Sequence, residues 1–340
     1  MRGPTKPTKP TKMVRLRVAA SLILAAALVV LAACGSCSPS GSHSSEGDDG
    51  GGTIEAAVET GPSPSQACAA FAAAFCGRLE ACTPFALQVA YGDANTCAQR
   101  IALACAPDFT INGTQATPGQ TIACADAVQA ESCDDVLDNP QPSACNVPGM
   151  LDAGVPCGSG AQCESNYCPT LAANVCGACV EHVGANGHCV VDSDCSATLI
   201  CNVNSCVGPV GLGAACSDTA PCMRSLTCIN GTCAAPGGAG QPCAQASDCD
   251  TAHGANCNGQ TKKCVQWQVA QAGQPCGIVG GNVVACAASA LCVNGNDAGV
   301  GTCHAPAADG TLCGPGIACL PPAVCSSTAR CTLPNPSVCH

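Results

Sequence analysis

Cysteine is the side chain with the most chemistry to offer here, with 36 in a chain of 340 residues. Thiols at that density form disulfides, hold metal, or work as redox pairs. Structural zinc sites want two C-x2-C knuckles or a Cys/His set at close spacing. The chain offers only Cys34-x2-Cys37 and Cys176-x2-Cys179. Val180 follows the second pair where covalent haem attachment needs a histidine, and no βαβ pattern surrounds its CGAC to make it a thioredoxin-like pair. Asp192-x-Asp194 lacks the glycine and the twelfth-position glutamate of an EF-hand loop. The histidines, His43, His182, His188, His253, His304 and His340, stand in polar or loop-like segments. They accompany no G-x-S-x-G, H-E-x-x-H or phosphate-cradling glycine loop. The expectation is therefore disulfides throughout, with no metal, no cofactor and no catalytic residue.

Disulfides need export, and the N-terminus supplies the signal for it. MRGPTKPTKPTKMVRLR carries Arg2, Lys6, Lys9, Lys12, Arg15 and Arg17 without an acid, and residues 18–33 hold no charge at all. A basic start, a short apolar stretch and a small-residue exit are the parts of a secretory signal, and the apolar stretch is shorter than the roughly 20 residues of a membrane span. MVRLRVAASLILAA, from Met13, is already a complete start of such a signal. Leu31-Ala32-Ala33-Cys34 followed by Gly35 resembles the lipobox of bacterial lipoproteins. The resemblance implies removal of residues 1–33, acylation of Cys34, and, with Gly35 and Ser36 after the anchor, sorting to the outer membrane. Several acyl chains at about 0.8 kcal/mol per buried methylene hold a protein firmly on a bilayer.

Once the signal is gone, Arg78, Arg100, Arg224, Lys262, Lys263 and Arg330 are the only cations, six against 23 acids, a formal charge of −17. Nucleic acid binding relies on clustered Lys and Arg that release counterions, so nucleic acid is excluded as a partner. Residues 34–64 are rich in Ser, Gly, Pro and acid and cannot bury enough apolar surface to offset chain entropy, which reads as a tether. Cys37 sits in it without a local mate.

From Ser65, a plausible N-cap, the texture turns helical. ACAAFAAAFCGRLEAC sets Phe71, Phe75 and Leu79 four apart, TCAQRIALA predicts a second helix over 96–104, and GQTIACADAVQA a third over 119–130. Cys68, Cys76, Cys82, Cys97, Cys105, Cys124, Cys133 and Cys145 fall in this segment, as do Tyr91 and all four phenylalanines. A small helical domain over 65–147 with an aromatic core and four disulfides is expected.

Beyond Met150 only Tyr167 and Trp267 are aromatic, and a cysteine repeat takes over. C-x5-C-x5-C-x4-C recurs without change at Cys189, Cys195, Cys201, Cys206 and at Cys216, Cys222, Cys228, Cys233. Looser copies follow at Cys243, Cys249, Cys257, Cys264, at Cys276, Cys286, Cys292, Cys303, and at Cys313, Cys319, Cys325, Cys331. Small leads such as GLGAAC, GAGQPC, AGQPC and ADGTLC introduce them. Units this poor in large apolar side chains cannot stand on a hydrophobic core, so irregular loops and short two-stranded hairpins held by bridges are expected. Asn230-Gly231 marks one hairpin turn.

Cys157, Cys163, Cys168, Cys176 and Cys179, together with Cys189 to Cys206, resemble the Dickkopf N-terminal cysteine-rich domain over residues 151–207, with the repeats of 208–340 similar to its second half. The resemblance implies a small disulfide-rich fold. It departs at Cys195-Ser196, where the family has a Cys-Cys pair, leaving nine cysteines for ten. The family's receptor antagonism has no matching contact motif here and does not carry over. The arrangement as a whole is similar to cysteine-rich surface lipoproteins of bacteria.

With Cys34 set aside for lipid, 35 cysteines remain, an odd number. Cys339 stands just beyond the last copy, and a bond from it into the nine-cysteine block would close the array on itself and leave Cys37 as the lone thiol. The expectation at this point is a non-enzymatic envelope lipoprotein, anchored in the outer membrane through its N-terminal lipid and facing the cell surface or the periplasm. Its repeats would bind an unknown protein or surface ligand. The alternatives are a structural coat component or a disulfide-rich inhibitor of extracellular proteases.

Overall fold

A computed structural model describes residues 61–138, 142–169, 176–293 and 299–339. The export signal, Cys34, Cys37, His43, His340 and nearly all of the tether lie outside the described residues.

The first helix, α1 (Pro64–Cys82), begins one step earlier than Ser65. Ser63 is the N-cap, because its hydroxyl accepts from the Gln66 amide while the Gln66 side chain accepts from the Ser63 amide, a reciprocal capping box, and Pro64 brings a pre-set φ to the first turn. The other expected helices are α3 (Ala94–Cys105), capped by Asp93, and α4 (Pro118–Ala130), capped by a Thr117–Gln120 box. Two more were not expected: α2 (Pro84–Tyr91) and α5 (Cys133–Asp138). Both are too short to show a helical period, although Pro84 and Gly92 bracket α2 as start and stop signals. Phe71, Leu87, Tyr91, Ile101 and Val128 meet as the core, stitched by Cys76–Cys97 and Cys124–Cys145. Burying side chains of this kind is worth about 1.5–3 kcal/mol each. Cys68–Cys105 and Cys82–Cys133 complete four bridges that stay inside this helical hub.

The described residues beyond the hub hold one four-cysteine unit six times, always bonded first to third and second to fourth. The unchanged copies show it as Cys189–Cys201 with Cys195–Cys206, and as Cys216–Cys228 with Cys222–Cys233. Cys243–Cys257, Cys249–Cys264, Cys276–Cys292, Cys286–Cys303, Cys313–Cys325 and Cys319–Cys331 follow the same rule. So do Cys157–Cys168 and Cys163–Cys179, so that residues 151–207 hold two copies of the unit. The small leads have a backbone reason. Gly154, Asn186, Gly213, Gly240, Gly273 and Gly310 all take a positive φ, +65° to +88°, and each donates its amide to the carbonyl of its unit's fourth cysteine at 2.7–2.8 Å. A Cβ penalises that conformation in most residues, which confines the position to Gly or Asn.

Hairpins close the units, as in Thr227–Ile229 with Thr232–Ala234, where Asn230 (φ 52°) and Gly231 (φ 79°) form the tip. The fifth unit departs from the expectation of hairpins alone. Its five-stranded sheet runs, in order, Leu291–Val293, Val300–His304, Pro275–Val279, Asn282–Cys286 and Gln268–Ala270, the last strand parallel and the others antiparallel. Here the stretch between the first two cysteines is longer, and GIVGGNVVA sets β-branched pairs on either side of a Gly-Gly turn.

The first, third, fourth, fifth and sixth units dock on the hub in turn. Ser225 of the third unit donates both its amide and its hydroxyl to Asp138 at 3.0 Å. Trp267, after the fourth, meets Phe85 edge-on at 6.2 Å, which draws that phenylalanine away from the core. The fifth unit caps the C-terminal end of α2. The amides of Ala288 and Ser289 donate to the Gln88 and Val89 carbonyls, and the Ser289 hydroxyl to that of Ala90, satisfying groups a helix end leaves open. In the sixth, Asp309 takes a two-pronged bond from Arg100 of α3, at 2.7 and 2.9 Å, while the same guanidinium donates to the Leu320 and Pro321 carbonyls. The first unit returns to the hub through Gln162 to the Asn112 carbonyl and Ser159 to Asp108.

Candidate functional site

The ring is sealed by Cys176–Cys339, whose Cα atoms stand 5.3 Å apart across 163 residues of chain. Cys339 therefore does bond into the nine-cysteine block. The odd member of that block is Cys176, not a cysteine orphaned by Ser196: Cys195 bonds Cys206 inside its own unit, and the Ser196 hydroxyl donates to the Val183 carbonyl at 3.2 Å. All 34 cysteines expected to form disulfides do so, in 17 bridges. Triplets of sulfur gather closely, as at Cys157, Cys163 and Cys179 or Cys276, Cys286 and Cys303, and every one of these atoms is already committed to a bridge. Bridges at this density belong to proteins of oxidising settings, extracellular or at a cell surface. Among the described residues no helix is long and apolar enough to cross a membrane.

Among the described residues several groups of polar side chains have the proximity that chemistry needs. At the seam of the first and second units the Tyr167 hydroxyl donates to Asp194, and the His182 ring stacks on Tyr167 at 4.9 Å. Asp194 Oδ2 also accepts from the Val190 and Val191 amides. Burial opposes the charge on Asp194, but the bonds from Tyr167 and the two amides, with His188 nearby, outweigh it and lower its pKa. Burial and the adjoining carboxylate push Tyr167 up to about 12. In the fourth unit Asp248 holds the Ala244 and Gln245 amides in the same way, and in the first Gln162 holds those of Gly158 and Ser159. The shared position marks these as turn-holding groups of the unit. Next, Asp192 pairs with Arg224 across the second and third units and accepts from the Cys201 amide at 2.8 Å. The third is Asp108 with Ser159, where the hub meets the first unit and the C-terminal tail. His253 pairs with Asp250 at 2.8 Å on an exposed loop.

The second unit is unlike the others. In the third, fifth and sixth units the loop after the second cysteine faces the hub, whereas in the second unit Ala197 and Thr198 are exposed, and its bonds run to its neighbours, from Tyr167 and from Arg224 and by Asn202 to the Asp218 carbonyl. It displays Val190, Val191 and Val203, of which Val190 and Val203 are 76 % and 77 % exposed. Thr198 (φ 71°) and Val203 (φ 48°) are the β-branched residues among the described positive-φ positions, a conformation their side chains disfavour. Nothing in the periodicity pointed to this unit or to the docking residues Arg100, Asp108, Asp138 and Phe85. The one legible signal was scarcity: the lone tryptophan, Trp267, meets Phe85, and two of the few cations, Arg100 and Arg224, pair with Asp309 and Asp192. Compared with known protein families, with curated proteins and with solved structures, the chain matches none.

Proposed function

We propose that this is a non-enzymatic lipoprotein of the bacterial outer membrane, anchored by lipid on Cys34, that presents a disulfide-closed collar for binding a protein or surface ligand. The lipobox-like Leu31-Ala32-Ala33-Cys34 supports the anchor, and the acid-rich tether of 34–64 spaces the folded part from the bilayer. One observation carries the binding role. Among the described residues the second unit bonds to its neighbouring units, exposes Val190, Val191 and Val203, and holds Val203 in a disfavoured backbone conformation of the kind that clusters at functional positions. Rigid loops between bridges lose little entropy on binding, which is how small disulfide scaffolds gain affinity.

Two measurements test it. Radiolabelled fatty acid should mark the intact protein and be absent from Cys34→Ala, which should no longer partition into detergent; equal labelling of both defeats the anchor. Fluorescent protein spanning 61–340 should bind intact cells saturably, and the Val190→Asp, Val203→Asp pair should weaken it at least about tenfold, a loss of about 1.4 kcal/mol. Leu312→Asp, an exposed leucine of the sixth unit, should leave binding unchanged. Undiminished binding by the second-unit variant would remove this unit from the role.

A further inference from the structure

The end of the collar meets its beginning over a single buried carboxyl. Asp108 lies in the 3-10 turn Ala106–Phe109 that follows α3, is 5 % exposed, and accepts from Ser159 Oγ at 3.0 Å. Ser159 belongs to the first unit. Its neighbour Gly158 lies so close to the tail that a Cβ there would stand 2.5 Å from Pro336 Cα. Leu103, Ala104 and Pro107 from the hub and Pro322, Leu333 and Pro334 from the sixth unit and tail wall a cavity of about 20 Å³ beside the carboxyl. That is room for one water and too little for an organic ligand. Cys339, which closes the ring, is three residues beyond Pro336.

We propose that Asp108 is a proton-operated latch on the ring closure: as a carboxylic acid it holds hub, first unit and tail together, and as a carboxylate it slackens that seam. A carboxylate buried in the seam is costly unless a cation or several donors offset it. From the hub, the first unit and the tail, none of the other residues lining the cavity titrates. Arg100, the one cation of α3, is committed to Asp309. Burial accordingly raises the Asp108 pKa from 3.8 to about 7, with the Ser159 bond pulling it back down. The sign follows from linkage. The closed seam keeps its proton where the open one has lost it, so opening becomes easier as pH rises from about 4 and levels off near 7, where the closed form also ionises.

The clasp itself reports the seam. Disulfide-intact protein is treated with a water-soluble phosphine at pH 4 to 8.5, and each bridge is followed by differential alkylation and mass spectrometry, with Cys124–Cys145 of the hub core as the internal standard. Dividing by the rate for Asp108→Asn at each pH cancels the pH dependence of the reagent. The relative rate for Cys176–Cys339 should rise by at least about tenfold between pH 5 and 7 and then plateau, an increase bounded at about tenfold per pH unit. Ser159→Ala, which removes the bond that favours the carboxylate, should move the plateau to higher pH and keeps the test open if the asparagine variant folds poorly. A flat relative rate in the wild type, or a plateau unmoved by Ser159→Ala, overturns the latch.

Discussion

Among the described residues, Cys176 and Cys339 are the one bonded pair whose members belong to different parts of the array: they join the loop of the first unit to the last described residue, 163 positions away. Every other bridge closes within the hub or within a unit. The consequence is a molecule with two kinds of covalent constraint, local ones that build each unit and one global one that holds the circle.

The clasp should therefore matter to the whole and not to the parts. In the chain-entropy account an uninterrupted loop of this size is worth roughly 5 kcal/mol, less here because the bridges inside the units already shorten the path. The paired variant Cys176→Ser, Cys339→Ser is expected to lose about 2–4 kcal/mol while all remaining bridges still form. Non-reducing peptide mapping together with thermal denaturation checks this. Scrambling of the unit bridges would show instead that the clasp directs folding.

Arg100 is the strongest single tie between hub and collar, with four bonds to the sixth unit and a side chain only 11 % exposed. Arg100→Ala strands Asp309 and two carbonyls and should cost about 2–3 kcal/mol. Arg100→Lys keeps the charge but has no planar fork, and should recover less than half of that. Amide exchange over 307–322 should quicken in both, and unchanged protection there would mean the sixth unit is held by something else.

Stability and binding should move in opposite directions at the tip of the second unit. Replacing Val203-Asn204 by the Asn-Gly that its sister unit carries at 230 and 231 relieves a β-branched residue from the left-handed region. A gain of about 1 kcal/mol is expected. Cell binding should fall in the same variant because the exposed valine is gone. A drop in stability would show that Val203 is not strained at that tip.

The described cysteines are all consumed in pairs, so with lipid on Cys34, as proposed, Cys37 is the thiol left over. The non-reduced protein without its signal should take up one equivalent of iodoacetamide, on the Cys37 peptide, or else run as a dimer that Cys37→Ser abolishes. Uptake at any cysteine from Cys68 to Cys339 would contradict the pairing.

Much of this molecule was legible in its amino acids, and the limit has a physical origin. Cysteine spacing, the small leads and the Asn230-Gly231 tip are local signals, each decided within a dozen residues by loop closure and allowed φ, so the repeat and the hub's principal helices could be read directly. Counting also allowed the bond from Cys339 back into the Cys157–Cys206 block that the structure shows. What no local signal carried was the choice of Cys176 as the partner, the five-stranded sheet of the fifth unit, the seating of Arg100 on Asp309, or the burial of Asp108 against Ser159. The sheet is set by pairings within residues 268–304 that no single strand announces, and the other contacts bring together residues 51 to 221 positions apart, which only the path of the successive units around the hub decides.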